Sequence, residues 1–220
     1  MLARYGADLT AKKKDGMTVL HMAASTNDVH LMDFILQNVE SKKELVNTRN
    51  GEGWTALHFS SFLNNFDSTN LLLENGADLL DKNGQEMTTI DELIRNDHKD
   101  LLSCVYERVK AKVARRDLTK QGSFSYVHLA AGQPNSQCLQ YLIEVENETP
   151  NEICNVHDNS YPLHFAVLAK NHHNCKVLLK NGASPNVRDA VGNTPMHLAV
   201  GLRNLSLVRL LDDYFADAEI

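Results

Sequence analysis

The stretch GNTPMHLAV, residues 192–200, places Thr194 and His197 three residues apart at the start of an amphipathic segment. Such a pair could belong to an active site or to a structural motif. A catalytic constellation is needed once, whereas a structural one is needed in every unit of a repeat. Related stretches carry the same histidine at His21, His58, His128 and His164. Recurrence therefore favours a structural motif.

A sixth copy, EMTTIDELI, has Asp91 in place of the histidine, and the steps between successive key positions are 37, 33, 37, 36 and 33 residues. Two apolar runs then end in NGAD and NGAS, at Gly76 and Gly182. Each copy is interpreted as two short helices, because threonine caps the start of a helix and glycine ends one in the left-handed conformation. No such unit could bury its apolar face alone, so the copies are expected to stack into a solenoid.

The TPLH-type boxes, the LLL-xx-GAD endings and the period of about 33 residues resemble the ankyrin repeat over nearly the whole chain. The resemblance implies an all-α solenoid of helix-turn-helix units with short β-hairpin tips. It also implies that each Thr–His pair braces the first helix of its unit against adjacent loops, and that the protein binds other proteins without catalysis or a cofactor. The expected units are a partial one at 1–14 and others at about 15–51, 52–84, 85–121, 122–157, 158–190 and 191–220.

Composition excludes several other classes of function. The net charge of −6 has both signs spread along the chain, which argues against a nucleic-acid-binding face. No apolar run approaches the roughly 18 residues that span a membrane, so direct membrane insertion is not expected. The cysteines match neither a metal pair nor a disulfide framework. We therefore expect reduced thiols in a cytoplasmic protein, with the nucleus or the cytosolic face of a membrane protein as alternatives.

One polar cluster, NHHNCK at residues 171–176, raises the possibility of a zinc site formed by His172, His173, Cys175 and the nearby His157. The two adjacent histidines are predicted in the loop between two helices, however, and Cys175 at a buried helical position. Motifs for phosphate binding, zinc proteolysis and α/β-hydrolase chemistry do not occur in the chain. We therefore expect no metal ligand and no catalytic residue.

In the ankyrin fold, the positions one, four and five residues after each key histidine face the concave groove. The first of these is expected to pack within the repeats, at Met22, Phe59, Leu129, Phe165 and Leu198. Packing explains the other apolar positions less well, and they are candidate partner-binding residues: Phe62, Leu63, Leu168 and Leu202. Charged tips would supply a rim through Lys13, Arg49, Lys82 and Arg188. The alternative is that another domain of the same polypeptide covers the groove.

The unit that carries Asp91 has no GAD ending, and its second helix is predicted to continue toward Val113, which makes residues 107–122 the expected weak joint of the array. This segment contains five basic candidates, namely Arg108, Lys110, Lys112, Arg115 and Arg116. They form either a solvated helix face or a contact for an acidic, phosphorylated or anionic-lipid partner.

Two functions remain after these exclusions. The first is a non-catalytic scaffold that binds a protein or peptide through its groove and tips. The second is a cytosolic regulatory or gating segment of a larger enzyme or ion channel. Neither end of the chain has the polar cap that usually closes a solenoid, so we expect a piece of a longer protein.

Overall fold

The computed structural model describes residues 8–110 and 124–214. Within those ranges the regular structure is helical, apart from one isolated β-bridge between Cys154 and Ser160. The contacts divide the chain into two compact units, Met1–Asn96 and Asp97–Ile220, and each is considered by itself.

The first unit is built from α1 (Val19–Ser25), α2 (Val29–Gln37), α3 (Lys42–Val46), α4 (Ala56–Phe62), α5 (Phe66–Glu74) and α6 (Thr89–Arg95). Helices α1 and α2 pack as a pair, as do α4 and α5, while α1, α4 and α6 stack along the groove side. Small side chains allow this close stacking, since Ala23, Ala24 and Ala56 are almost fully buried.

The second unit contains α7 (Lys99–Lys110), α8 (Tyr126–Ala131), α9 (Gln137–Gln140, continued by a π-helical turn over Tyr141–Val145), α10 (Pro162–Leu168), α11 (His172–Lys180), α12 (Pro195–Gly201) and α13 (Leu205–Asp213). Helix α7 has 12 residues, three more than α11 and α13, which agrees with the predicted overrun. Its extension toward Val113 lies outside the described residues, as do residues 111–122 of the predicted weak joint.

The second helices end as the sequence predicts. Gly76 and Gly182 follow α5 and α11 with φ angles of +87° and +86°, in the left-handed region that glycine adopts without a Cβ penalty. Their amide N–H groups bond to carbonyls of the preceding helical turn, at Leu73 and Leu179. The helix ends are therefore set locally by sequence.

The tips are hairpin-like turns instead of two-stranded ladders. In four of them, one backbone N–H bonds to the carbonyl four residues later, at Lys13–Met17, Asn50–Trp54, Asn83–Met87 and Asp189–Asn193, with N···O distances of 2.8 to 3.0 Å. In the tip of the second unit that contains the β-bridge, the Cys154 N–H instead donates to the Ser160 carbonyl, six residues later, at 2.8 Å. Neighbouring tips are linked sideways, because Gly51 N–H donates to the Asp15 carbonyl at 2.7 Å and Gly84 N–H to the Glu52 carbonyl at 2.8 Å. These links hold the groove edge of the first unit in register.

Candidate functional site

The recurring histidines are braces. In the first repeat, the Thr18 backbone N–H donates to His21 Nδ1 at 3.1 Å, and His21 Nε2 lies 3.1 Å from the Trp54 carbonyl of the next repeat. A backbone N–H can only donate and a carbonyl can only accept, so the ring is neutral with its proton on Nε2. The same pattern joins His58 to Met87, His128 to Ser160 and His164 to Asn193.

Burial lowers the pKa of His21, His58, His128 and His164, and that of His128 falls to about 4. A second proton would also place an N–H of Nδ1 against the backbone N–H that it now accepts from. These imidazoles are therefore held neutral, and they serve the fold instead of proton transfer.

Asp91 keeps only half of the brace. Its carboxylate accepts the Thr88 backbone N–H and the Thr88 hydroxyl, both at 2.8 Å, as a histidine Nδ1 would. An ionised carboxylate has no N–H to donate to the carbonyl of a following repeat. The degenerate copy therefore retains the cap of its own helix and loses the donor.

An open pocket of about 610 Å³, here called the Trp54 pocket, lies on the groove side of the first unit. Its apolar wall consists of Trp54, Phe59, Phe62, Leu63 and Met87. The Trp54 ring lies 5.1 Å from that of Phe59 and 5.6 Å from that of Phe62, the second pair being edge-to-face. The pocket therefore presents an aromatic surface.

The polar wall of the Trp54 pocket is formed by the remaining lining residues, Ser25, Glu52, Gln85, Glu92, Arg95 and Asn96. Glu92 is only 3% exposed, and Asn83 Nδ2 donates to its Oε1 at 3.1 Å. Burial raises the pKa of Glu92, against the charge of Arg95 and the Asn83 hydrogen bond, which lower it. The pocket thus combines aromatic rings with a desolvated carboxyl group.

A second aromatic cluster lies in the second unit, where Phe124 occupies the position of Trp54, four residues before the key histidine. Phe165 lies 5.4 Å from Phe124 and 5.5 Å from the ring of His128. The ring of His157 lies 5.4 Å from that of Phe124 and 6.1 Å from that of Phe165. This cluster joins two successive repeats and serves packing.

A family model for ankyrin repeats, described as three copies, matches residues 1–83 and 125–220. The chain belongs to the ankyrin repeat family. This confirms the resemblance of the TPLH-type boxes. Ankyrin repeats are a non-catalytic module of protein–protein interaction.

Solved ankyrin structures share the fold. The ankyrin repeat domain of Bcl-3 superimposes with a TM-score of 0.79 at 20% identity, covering 94% of this chain and 90% of that one. The human ASB11 ankyrin repeat domain gives a TM-score of 0.76 at 20% identity, covering 97% and 90%. At this identity the likeness concerns the fold alone.

Curated relatives carry ankyrin regions within longer chains. The human palmitoyltransferase ZDHHC13 is 26% identical over 213 residues, which is 96% of this chain and 32% of that protein. The mouse nuclear factor NF-kappa-B p105 subunit is 29% identical over 143 residues, covering 63% of this chain and 14% of that protein. The chain thus spans about a third or less of these relatives.

The ankyrin groove exposes three of the four predicted apolar residues. Phe62 is 43% exposed, Leu63 46% and Leu168 52%, whereas Leu202 is half-buried. Met22 differs from its expected packing role, since it is 47% exposed. The structure brings Phe62 and Leu63 together in the Trp54 pocket, while Leu168 and Leu202 lie in the second unit.

The predicted rim residues lie at the tips, and three of them are paired with acidic side chains. The pairs are Lys13 with Asp15, Arg49 with Asp81, and Lys82 with Glu86. Arg188 is exposed in the second unit, and its guanidinium donates to the Gly192 carbonyl at 3.3 Å. The rim charges of the first unit are therefore partly neutralised before a partner arrives.

The alternative zinc cluster is not assembled. His172 and His173 are exposed as the first residues of α11, not in the preceding loop, while Cys175 is buried. No group of three metal-ligating side chains is found among residues 8–110 and 124–214. Burial raises the pKa of the Cys175 thiol to about 12, and none of the four cysteines forms a disulfide.

Most of the five basic candidates lie outside the residues that the structure describes. Arg108 is half-buried on α7, but Lys112, Arg115 and Arg116 lie outside the described residues, as does the side chain of Lys110. In the described part of the chain, no helix combines the length and apolar character needed to cross a bilayer.

Sequence reasoning missed most of the lining of the pocket, including its two most distinctive residues, Trp54 and Glu92. The signals were present, because Trp54 is the only tryptophan in the chain and immediately precedes a Thr cap. Glu92 holds the position one residue after the key one, where other ankyrin repeats of this chain carry apolar residues such as Phe59 and Phe165. A residue that departs from the type found at the equivalent positions of other repeats is not needed for the fold, and it is therefore a candidate for function.

Proposed function

We propose that this ankyrin segment binds a protein partner through the groove of its first unit, with Phe62 and Leu63 as anchors. The observation that carries the proposal is the Trp54 pocket, an open cavity of about 610 Å³ whose apolar wall includes both residues. Exposed apolar surface of this kind marks interaction sites in soluble proteins.

Anchors and rim are expected to contribute differently. Central aromatic residues in pockets dominate binding energy, whereas exposed charges such as Lys13, Arg49 and Lys82 mainly affect the association rate and its salt dependence. In the second unit, Leu168 offers a separate exposed apolar contact, with Leu202 half-buried and Arg188 at a tip. A cytoplasmic location belongs to the same proposal and is supported by four cysteines that form no disulfide.

The test is selection of a displayed random 16-residue peptide library on the folded chain, followed by binding measurements with the enriched peptides. Phe62→Ala should weaken them about thirtyfold, because loss of an anchor typically costs about 2 kcal/mol. The matched control is Phe34→Ala on α2, since Phe34 is 39% exposed and lies outside the Trp54 pocket. Equal losses in the two variants, or enriched peptides insensitive to both, would contradict the proposal.

A second candidate is a regulatory ankyrin segment of a larger enzyme, as favoured by the alignment of 96% of the chain to 32% of human palmitoyltransferase ZDHHC13. The groove would then select proteins for an attached enzyme, or contact another domain of the same chain. Reading the coding sequence on both sides of residues 1 and 220 tests this directly. The isolated chain should give only background turnover with ester, phosphate and peptide substrates, and activity lost on His172→Ala would refute the non-catalytic assignment.

A further inference from the structure

We propose that the Trp54 pocket takes an alkylammonium group, the side chain of a lysine, from the bound protein segment. The inference rests on the proposed function of the groove and adds the chemistry of the group that enters it. Its basis is the presence of aromatic rings and a buried carboxyl group in one open cavity.

The aromatic wall offers a favourable surface for a cation. Trp54, Phe59 and Phe62 line the same cavity, and their rings are 5.1 to 5.6 Å apart around Trp54. The negative face of an aromatic ring attracts an ammonium group, most strongly for tryptophan and where water is displaced. The methylene groups of a lysine would pack against Phe62 and Leu63 while the ammonium reaches further in.

The polar wall contributes a buried carboxylate that is not ion-paired with any described residue, although the charge of the exposed Arg95 acts on it. Glu92 is only 3% exposed, and its side chain accepts one hydrogen bond, from the neutral amide of Asn83. Among the described residues it belongs to no ion pair. A desolvated carboxylate is costly unless it is paired, so a ligand cation would relieve that cost.

The fold itself does not require an acid at this position. The corresponding residues of other repeats are Phe59, Leu129, Phe165 and Leu198, all apolar. Glu92 does hold the Asn83 side chain, whose Oδ1 accepts from the backbone N–H groups of Gln85 and Met87. A glutamine would keep an acceptor oxygen for Asn83 while removing the charge, which separates the structural role from recognition.

The charges around the pocket favour a cation over an anion. Glu52 and Glu92 line it together with a single cationic side chain among the described residues, the exposed Arg95. Because Arg95 would repel a bound cation and attract an anion, its removal has opposite consequences for the two ligands. Arg95→Gln thus distinguishes a lysine pocket from one for acidic or phosphorylated segments.

The only tryptophan of the chain lies in this pocket, so its fluorescence reports occupancy directly. The probes are Nα-acetyl-lysine methylamide, its Nε-trimethyl form, the neutral isostere Nα-acetyl-norleucine methylamide, and Nα-acetyl-glutamate methylamide. Both cations should change Trp54 emission saturably and bind at least about fivefold more tightly than norleucine. Comparison of the two cations reports whether methylation strengthens binding.

Binding measurements on three variants decide whether Glu92 recognises the cation. Glu92→Gln should weaken the lysine probe about tenfold and leave norleucine within about twofold, while Arg95→Gln should strengthen lysine by about two- to threefold. Glu44→Gln on α3 is the control, because Glu44 is exposed and outside the pocket. Norleucine binding equal to lysine, preference for glutamate, no saturable signal, or no effect of Glu92→Gln would each overturn the proposal.

The displayed peptides separate this inference from the groove function on which it rests. Enriched peptides that lose affinity on Phe62→Ala and carry a lysine at a fixed position support both. If they lose affinity on Phe62→Ala but have no basic residue in common, the groove function stands and the lysine pocket fails. If none is affected by Phe62→Ala, both fail.

Discussion

The two aromatic clusters of the chain occupy the same positions of the repeat and differ in what the next repeat places beside them. In the second unit, Phe165 of the following repeat lies 5.4 Å from Phe124. In the first unit, Trp54 holds the position of Phe124, but the following repeat supplies Glu92 where Phe165 would be. A pocket of about 610 Å³ lies there. One position of a repeat can therefore turn a packing site into a candidate binding site.

The largest expected effect is a loss of stability in acid at the aromatic cluster of the second unit, here called the covered cluster. In this cluster His128 packs against Phe124 and Phe165. Burial lowers its pKa from 6.5 to about 4. Well above pH 6.5 the ring is neutral in both folded and unfolded states, and its contribution to stability is complete. As the pH falls from 6.5 to 4, the unfolded state takes up the proton first, and about 3 kcal/mol of stability is lost.

Urea unfolding followed by circular dichroism at pH 7, 5.5 and 4 measures this loss. His128→Gln serves as the comparison, because it removes the titrating ring while other acid-sensitive groups remain. The parent should lose more stability than the variant across this range. Parallel losses in the two proteins would show that protonation of His128 does not govern the acid sensitivity of the covered cluster.

The next effect compares an aromatic residue from each cluster. Phe165 is half-buried and contacts three other rings, so Phe165→Ala should cost about 2 to 3 kcal/mol of folding free energy. Phe62 is 43% exposed, and Phe62→Ala should cost about 1 kcal/mol or less. Denaturant midpoints and slopes of both variants provide the measurement. Equal destabilisation would mean that Phe62 is a core residue and would remove it as an anchor.

A smaller effect on stability is expected when Glu92 in the Trp54 pocket is replaced by leucine, since the equivalent positions of other repeats carry apolar residues. Glu92→Leu removes the cost of a buried carboxylate at neutral pH, where its raised pKa disfavours folding, and it also loses the Asn83 hydrogen bond. The variant should match or exceed the parent in stability at pH 7, by about 0 to 2 kcal/mol. A loss above about 2 kcal/mol would show that the bond to Asn83 dominates at this site.

The smallest effect belongs to the rim beside the open pocket. Arg49 and Asp81 form an ion pair at adjacent tips, with the Arg49 side chain 53% exposed. Such pairs contribute little, so Arg49→Ala should change stability by less than about 0.5 kcal/mol, and salt should reduce the difference further. Thermal unfolding at low and high salt tests this expectation. A larger, salt-independent loss would show that the tips themselves hold the pocket in shape.

The repeat architecture was predictable because its determinants are short-range and recur. The Thr18–His21 contact spans three residues, and Gly76 ends its helix through its own backbone angles. Exposure at the groove was harder to predict, as Met22 and Leu202 show. Met22 is 47% exposed where packing was expected, and Leu202 is half-buried. Helical phase gives the side of the helix on which a residue lies, and it does not give the exposed fraction of the side chain.

The sequence by itself determined the ankyrin family, the Thr–His pairs at the helix starts and the left-handed helix ends, because each follows from local backbone chemistry repeated along the chain. Only the tertiary structure showed that Trp54, Phe62 and Glu92 line one cavity, since they come from two different repeats. Stacking brings together residues about 30 to 40 positions apart, and the side chains that meet there decide whether the space is filled or left open.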